Sequence, residues 1–310
     1  MSDSERPSNS VALAAYIEKQ ARRYLSNLKT VLSAGETEAV HDVRVASRRL
    51  EEPLRLVAAW LGEKSIRRTA RLLKRTRRAL RRVRDLDVLL ASLCTEATPA
   101  GLDAKDLARL EGALTNRRER LLKKARRRIR RMQSSRAAGQ VRRLAAQMQE
   151  AIGPADEAML GEQVEALFRR AVQRLRERDP RVREAADLHQ TRIYLKQLRY
   201  STELRRDVCG HDEPALHKAL VGMQDQLGYW NDQLSAVRVI ARLARGEQAL
   251  ADDAGWCARL LEHCAHRGRE ADAARRRLLE HWTDFAAALP MQDRENAVAA
   301  GLSTPVSAMG

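Results

Sequence analysis

One short pattern of residues occurs twice in this chain, 148 residues apart. In each copy a histidine is followed by basic side chains at the third and seventh positions and by leucine at the ninth, in HDVRVASRRL at 41–50 and in HQTRIYLKQL at 189–198. A second landmark repeats at nearly the same offset, because Arg84-Asp85 and Asn231-Asp232 lie 147 residues apart. Two landmarks with nearly one offset predict a duplicated unit of about 150 residues, and each copy must then form half of the molecule.

Helical periodicity runs through almost all of the chain. Apolar residues recur at intervals of three and four through most of residues 11–289, and strand signals are almost absent. Only 15 Gly and 8 Pro interrupt this pattern, so we predict an all-α protein with long helices. The breaks predict helices at roughly 11–33, 36–61, 64–95, 103–150, 156–178, 182–208, 213–245 and 248–288.

The predicted helices divide into two sets of four. Gly153-Pro154 marks the seam between them, which predicts a first four-helix bundle over 11–152 and a second over 155–289. Residues 1–10 and 290–310 lie outside the periodic region, and we expect them to form flexible tails.

The charge of the chain is large and unevenly distributed. The 58 Lys and Arg residues exceed the 41 Asp and Glu residues by 17. Residues 1–153 hold 35 of the basic and 17 of the acidic residues, a net charge of +18, so the second half is close to neutral. Because 49 of the basic residues are arginine, whose planar fork of donors matches phosphate oxygens two at a time, the composition favours a polyanionic partner.

The repeated pattern places basic side chains on one face of a helix. At about 100° per residue, His41, Arg44 and Arg48 fall within about 60° of one another and oppose an apolar face. The matching stripe of the second copy consists of His189, Arg192, Lys196 and Arg199. A charged helix face is usually only solvated. Its recurrence in both halves favours a functional role, although common descent also preserves structural residues.

Two further helices carry many bases and few acidic partners. The segment 64–95 lacks acids to pair with its bases until Asp85 and Asp87, and 117–131 holds ten bases and one acid, Glu119. Such helices repel themselves unless an anion binds, or unless solvation and salt make the repulsion tolerable. The candidate ligands on them are Arg71, Lys74, Arg78, Arg81, Arg82, Lys124, Arg127 and Arg131.

Catalysis and metal binding have weaker support in the sequence. Asp85 and Asp232 can serve as an acid/base pair, but orienting the neighbouring arginines is the favoured role. His263, Cys264 and His266 are spread around their helix, which disfavours a metal site. The chain has no glycine-rich phosphate loop, dinucleotide fingerprint or nucleophile elbow. We therefore expect a binding module with no catalytic residue, metal or cofactor.

The cytoplasm is the location that the sequence favours. The four cysteines show no CxxC spacing, so reduced thiols are expected. The first ten residues lack the apolar segment of a signal peptide, and no apolar run approaches the ~20 residues that a membrane helix needs. We expect a soluble protein that does not enter a membrane.

The repeated helix and the second landmark together resemble the CHAD family, the conserved histidine α-helical domains. The resemblance rests on the two histidine patterns, on RDLDV at 84–88 and on LGYWND at 227–232, and it covers roughly residues 11–289. It implies two four-helix bundles related by a pseudo-twofold axis, with a basic central groove that binds inorganic polyphosphate. Glu51 departs from the family, which often has a base there, and Pro53 is expected to kink its helix.

The resemblance also implies which side chains contact the polymer. In the first signature helix these are His41, Arg44, Arg48 and Arg49. In the second they are His189, Arg192, Lys196 and Arg199, while Tyr200, Asp85 and Asp232 are expected to orient the ligands.

Polyphosphate binding is the function that this combination predicts. Polyphosphate carries about one charge per phosphate and has no bases to read, so arginines and histidines suffice to bind it. Single-stranded nucleic acid is usually stacked on aromatic side chains, of which the chain has only 2 Phe, 4 Trp and 5 Tyr. Targeting to polyphosphate granules is the expected role. The alternatives are non-specific binding of nucleic acid in the nucleoid, and metal-dependent polyphosphate processing at Asp85 and Asp232.

Overall fold

The structure is a computed structural model of the chain. It describes residues 7–95, 101–132, 143–144, 146–147, 151–153, 156–178, 185–246 and 253–290. Regular structure within these ranges is entirely helical, which confirms the all-α prediction. Most of the two predicted tails, residues 1–6 and 291–310, lies outside the described residues, as do the later parts of the helix predicted over 103–150.

The helices begin and end close to the predicted positions. They are α1 (Asn9–Ser33), α2 (Thr37–Arg49), α3 (Glu51–Leu56), α4 (Ala58–Leu61), α5 (Glu63–Ala79), α6 (Arg81–Thr95), α7 (Ala104–Met132), α8 (Glu157–Arg176), α9 (Ala185–Cys209), α10 (Pro214–Ala244) and α11 (Ala254–Ala287). Asp253 caps α11, because its side chain accepts a hydrogen bond of 2.8 Å from the backbone N–H of Trp256. Gly35 follows α1 with φ 74°, a left-handed conformation that glycine adopts without strain.

The first signature helix is shorter than predicted. The sequence predicts one helix over 36–61, but α2 ends at Arg49 and two short helices follow. Pro53 explains the break, because it has no N–H to donate to the carbonyl oxygen of Arg49 four residues earlier. A second break at Leu80 separates α5 from α6 without a glycine or proline.

The helix order in the second half follows that in the first. Helix α8 begins 148 residues after α1, and α10 and α11 begin 151 and 150 residues after α5 and α7. These offsets support the predicted duplication, which stays a prediction together with its pseudo-twofold axis.

Three hydrophobic clusters hold the described helices together. The first combines α1, α2, α5 and part of α7 with Leu204 and Val208 of α9. The second lies among α8, α9, α10 and α11. The third contains Leu86 of α6 and Leu114 of α7 together with Ile240 of α10. The two halves of the chain therefore share buried apolar surface, which stabilises the whole molecule.

Candidate functional site

The two predicted basic stripes lie next to each other in the structure. Lys196 on α9 is close enough to Arg44 and Arg48 on α2, and to Arg192 on its own helix, for direct electrostatic repulsion. His41 on α2 is likewise an electrostatic neighbour of Lys196. We call the group formed by these side chains and Arg84 of α6 the central basic cluster. It consists of His41, Arg44, Arg48, Arg84, Arg192 and Lys196.

Lys196 is the most strongly perturbed member of the central basic cluster. Burial, followed by repulsion from Arg192, Arg48 and Arg44, lowers the pKa of its amine to about 6. Asp232 acts in the opposite direction, but its attraction is the weakest of these effects. Most Lys196 side chains are therefore neutral at pH 7 in the absence of an anion.

Arg44 is held in place by backbone rather than by an acid. Its Nη1 donates a hydrogen bond of 2.7 Å to the carbonyl oxygen of Arg77 on α5. Burial and repulsion from Arg48 lower the pKa of Arg44 to about 10, so its guanidinium stays charged at pH 7. The side chain of Arg77 is itself neutralised, because it donates a 2.9 Å hydrogen bond to Glu51. Glu51, the acid at a position where the family often has a base, thus pairs with an arginine outside the stripe.

Arg192 has an unused donor in the interior of the site. Burial lowers its pKa, with Asp232 partly restoring it. Its Nε is buried and finds no hydrogen-bond acceptor among the described residues. A buried donor without a partner is costly, so an anion that supplies an acceptor here gains affinity.

Burial and neighbouring bases disfavour the charged forms of the two signature histidines. His41 is half-buried, and burial and the charge of Arg84 lower its pKa. His189 is more exposed, yet burial of its ring and the charges of Arg192 and Arg81 lower its pKa as well. Both histidines are consequently more often neutral at pH 7 than free histidine is.

Asp85 and Asp232 lie on α6 and α10 beside the central basic cluster. Burial raises the pKa of Asp85, Asp232 raises it further, and Arg81 and Arg44 lower it. Neither carboxylate forms an ion pair with a residue in the described ranges, but each attracts nearby arginines, Arg44 for Asp85 and Arg192 for both. This position suits the predicted orienting role.

Two predicted arginines converge on one acid that the sequence did not single out. Arg49 on α2 donates to the buried Glu203 of α9 through Nε at 2.8 Å and Nη2 at 3.0 Å. Arg199 donates to the same carboxylate at 3.1 Å, and Tyr200 lies under the Arg49 guanidinium, 5.8 Å from it. The charges of Arg49 and Arg199 are therefore partly compensated, and they tie α2 to α9.

Of the remaining predicted ligands, one borders the central basic cluster and the others lie elsewhere on α5, α6 and α7. Arg81 is an electrostatic neighbour of Asp85 and His189, so it borders the central basic cluster. Arg82 instead approaches Arg117 of α7. The other predicted ligands are exposed side chains on two helices, Arg71, Lys74 and Arg78 on α5 and Lys124, Arg127 and Arg131 on α7.

Sequence reasoning missed several residues beside the site. Arg84 was part of a repeated landmark but was not selected as a ligand. Arg238 lies one and a half turns after Asp232 on α10, and its charge reaches His189. Arg77 and Glu203 are recognisable only from the tertiary contacts. For Arg84 and Arg238, closeness to the repeated Asp85 and Asp232 was the available signal.

The weaker candidates of the sequence are accounted for by ordinary contacts. His263 is buried and its Nε2 accepts a 2.9 Å hydrogen bond from Arg267. Within the described ranges, no three metal-ligating side chains come together, and no disulfide joins the four cysteines. No helix in the described part of the chain is long and apolar enough to cross a membrane.

Comparison with known proteins identifies the relatives of this fold. A family model described as the CHAD domain matches residues 15–241. The crystal structure of the CHAD domain from the plant Ricinus communis is 26% identical, with a TM-score of 0.60 over 87% of this chain and 91% of that chain. PptA from Streptomyces chartreusis has a TM-score of 0.60 over 90% of this chain and 100% of that chain, and its 20% identity supports the fold alone. No curated protein matches the sequence.

Proposed function

The chain belongs to the CHAD domain family, and on that premise we propose that it binds inorganic polyphosphate in a groove at the central basic cluster. One observation carries the proposal. Lys196 is half-buried among Arg44, Arg48 and Arg192, and the acids of the described residues compensate these charges poorly. A chain of phosphates supplies the missing negative charge, and arginine forks bind phosphate oxygens in pairs.

The proposed ligand also suits the shape of the charge distribution. Bases from α2, α6 and α9 surround a short stretch in which Asp85 and Asp232 act on Arg44, Arg192 and Lys196, and Glu38 and Asp42 act on His41. A flexible chain of phosphates can follow such a surface without base-specific contacts. The proposed cellular role is attachment to polyphosphate granules in the cytoplasm.

A charge-reversal experiment tests the proposed site. Arg44→Glu combined with Arg48→Glu is expected to weaken polyphosphate binding by at least about a hundredfold, since two charge-assisted contacts are lost. Arg269→Glu with Arg276→Glu makes the same change in net charge at exposed positions of α11 and serves as the control. Binding is measured by titration calorimetry at one salt concentration, after circular dichroism has shown that both variants are folded. Equal losses in the two variants contradict a specific groove.

Nucleic acid remains the competing ligand, because non-specific binding of duplex DNA also rests on phosphate contacts. The proposal expects duplex DNA to leave bound polyphosphate in place at equal phosphate concentration and moderate salt. Displacement by DNA would favour the nucleoid alternative.

An enzymatic role for the two aspartates is tested separately. The binding proposal expects no release of orthophosphate from polyphosphate with Mg²⁺ or Mn²⁺. Release that Asp85→Asn abolishes would instead assign the acid pair to catalysis.

A further inference from the structure

Arg117 is a half-buried arginine at a place where three helices meet. Its electrostatic neighbours are Arg82 of α6, Arg242 of α10 and Arg120, which lies one turn further along α7. We call these four side chains the arginine clamp. None of them belongs to the repeated histidine pattern, and only Arg82 is among the residues predicted from the sequence.

The position of the arginine clamp is fixed by the hydrophobic interior beneath it. Helices α6, α7 and α10 all contribute to the third hydrophobic cluster, with Leu86, Leu114 and Ile240 as buried members. Because these helices pack together through that cluster, the backbone positions of the four arginines are fixed relative to one another, while the side chains of Arg82, Arg120 and Arg242 are exposed to solvent. The clamp is thus a feature of the tertiary structure and not of one flexible helix.

The charges of the arginine clamp are not neutralised by any acid within the described residues. Burial lowers the pKa of Arg117, and repulsion from Arg82, Arg242 and Arg120 lowers it further, with no acid among these effects. None of the four side chains forms an ion pair or hydrogen bond with a residue in the described ranges. The central basic cluster, by contrast, is partly balanced by Asp85 and Asp232. Four neighbouring cations without a counter-charge repel one another, although water and salt screen the exposed members, and an anion that binds among them removes this repulsion.

The arginine clamp continues the central basic cluster along α6 and α10. Arg238 and Arg81 are both electrostatic neighbours of His189, at the edge of the central basic cluster. Arg242 follows Arg238 by one helical turn, about 6 Å along the axis, and lies on the same face of α10, whereas Arg82 lies about 100° around the axis of α6 from Arg81. A phosphate chain that leaves the central basic cluster past His189 and Arg238 therefore reaches Arg242 of the clamp within one helical turn.

We propose that the arginine clamp is a second phosphate-binding site, which holds a distal stretch of a polyphosphate chain whose other stretch lies in the central basic cluster. The inference rests on the proposed function. It adds a consequence that the central basic cluster alone does not have, because only chains long enough to span both sites gain the second set of contacts. Joining two sites by one flexible ligand raises the affinity through an increased effective concentration.

The test compares a short and a long ligand on a clamp variant. Arg117→Gln combined with Arg242→Gln is expected to lower the affinity for long-chain polyphosphate about tenfold to a hundredfold, the loss of one or two charge-assisted contacts. The affinity for tripolyphosphate is expected to stay unchanged, since that ligand is satisfied by the central basic cluster. Dissociation constants are measured by titration calorimetry at one fixed salt concentration.

A matched control separates the clamp from a general loss of positive charge. Arg269→Gln with Arg276→Gln removes the same two charges from exposed positions on α11 and is expected to bind both ligands as the parent protein does. The clamp variant should melt at the same or a higher temperature than the parent, because it relieves repulsion.

Three results overturn the inference, and they differ from one another. An unchanged affinity of the clamp variant for long chains removes the second site and leaves the proposed function standing. Equal losses for tripolyphosphate and long chains place the clamp within the first site. Absence of polyphosphate binding by the parent protein removes both the proposed function and the inference.

Discussion

Lys196 shows how a single residue couples binding, protonation and stability. Its amine has a pKa of about 6 in the folded protein, because it is buried and surrounded by Arg192, Arg48 and Arg44. An unfolded chain holds the same amine at a pKa near 10.4. Between these values the unfolded state binds more protons than the folded state, so the free energy of unfolding rises with pH across this window. At pH 7 this lysine therefore lowers the stability of the protein.

Lys196→Met tests how this amine affects the free energy of unfolding and its dependence on pH. The free energy of unfolding at pH 7 is expected to rise by on the order of 1 kcal/mol or more, because the variant no longer has a buried amine that favours the unfolded state. Chemical denaturation measured from about pH 6 to pH 9 should also show a weaker dependence on pH than in the parent. A variant that is less stable than the parent at every pH would contradict the assignment.

The same residue predicts the pH dependence of binding. A bound phosphate chain favours the protonated amine, so binding takes up a proton, and the affinity should fall as the pH rises above about 6. His41 and His189 act in the same direction, because a bound phosphate chain favours their protonated forms as well, while burial and nearby arginines lower the pKa of each in the free protein. In Lys196→Met the affinity is expected to be lower and its decline above pH 7 to be much smaller.

At this scale the sequence predicted which residues share a helix face but not what each one contacts. Periodicity placed His41, Arg44 and Arg48 on one face and the bases of the second copy on another, and only the tertiary structure shows that Lys196 lies near Arg44 and Arg48. The pairing of Arg49 with Glu203 was not predictable, because 154 residues separate the partners and the contact depends on how α2 packs near α9. The lowered pKa of Lys196 was not predictable either, because burial depends on the tertiary structure.

At the scale of helices, arginines of α7 donate hydrogen bonds to the last carbonyl groups of α1. Arg126 donates to the carbonyl oxygens of Val31 at 2.8 Å and Ser33 at 2.9 Å, and Arg130 donates to that of Leu32 at 3.2 Å. The last carbonyl groups of a helix have no partner within it, and cations there also interact favourably with the helix dipole. Some of the arginines in 117–131, which the sequence suggested as a ligand surface, therefore stabilise the end of α1 instead.

Arg126→Ala is expected to lower the free energy of unfolding by about 1.5–3 kcal/mol, because charge-assisted hydrogen bonds to two carbonyl groups are lost. Polyphosphate affinity should hardly change. Arg127→Ala, at the adjacent exposed position, provides the matched control and should alter stability by less than about 0.5 kcal/mol. Denaturant titration measures both, and equal destabilisation by the two substitutions would rule out the capping role.

Helix boundaries were predictable wherever local chemistry decides them. Pro53 correctly predicted a break in the first signature helix, and Gly35 correctly predicted the end of α1. The break at Leu80 has no such signal, and the split of 64–95 into α5 and α6 was accordingly missed. Packing against helices from elsewhere in the chain supplies that part of the fold.

At the scale of the whole molecule, the two halves are joined by polar and apolar contacts. Glu203 bridges Arg49 of α2 and Arg199 of α9, and it is buried. The third hydrophobic cluster contains helices of both halves. A molecule joined in this way is expected to unfold in one cooperative transition.

Glu203→Gln tests this coupling between the halves. The substitution leaves two arginines without their acid, so the free energy of unfolding is expected to fall by on the order of 3 kcal/mol. Thermal unfolding followed by calorimetry should show one transition at a lower temperature. Glu280→Gln, at an exposed position of α11, is the control with the same chemical change. Two separate transitions in the parent protein would show that the halves unfold independently.

The shared third cluster bears on the ancestry of the fold. If the two halves descend from one copy, a single copy would have left the apolar sides of its last two helices open to water. Such an ancestor needed a second, identical molecule to cover them, in a symmetric dimer. A symmetric dimer must carry every charge twice. In that case only fusion of the copies into one chain would have allowed the first half to reach a net charge of +18 while the second stayed near zero, although both halves contribute bases to the central basic cluster.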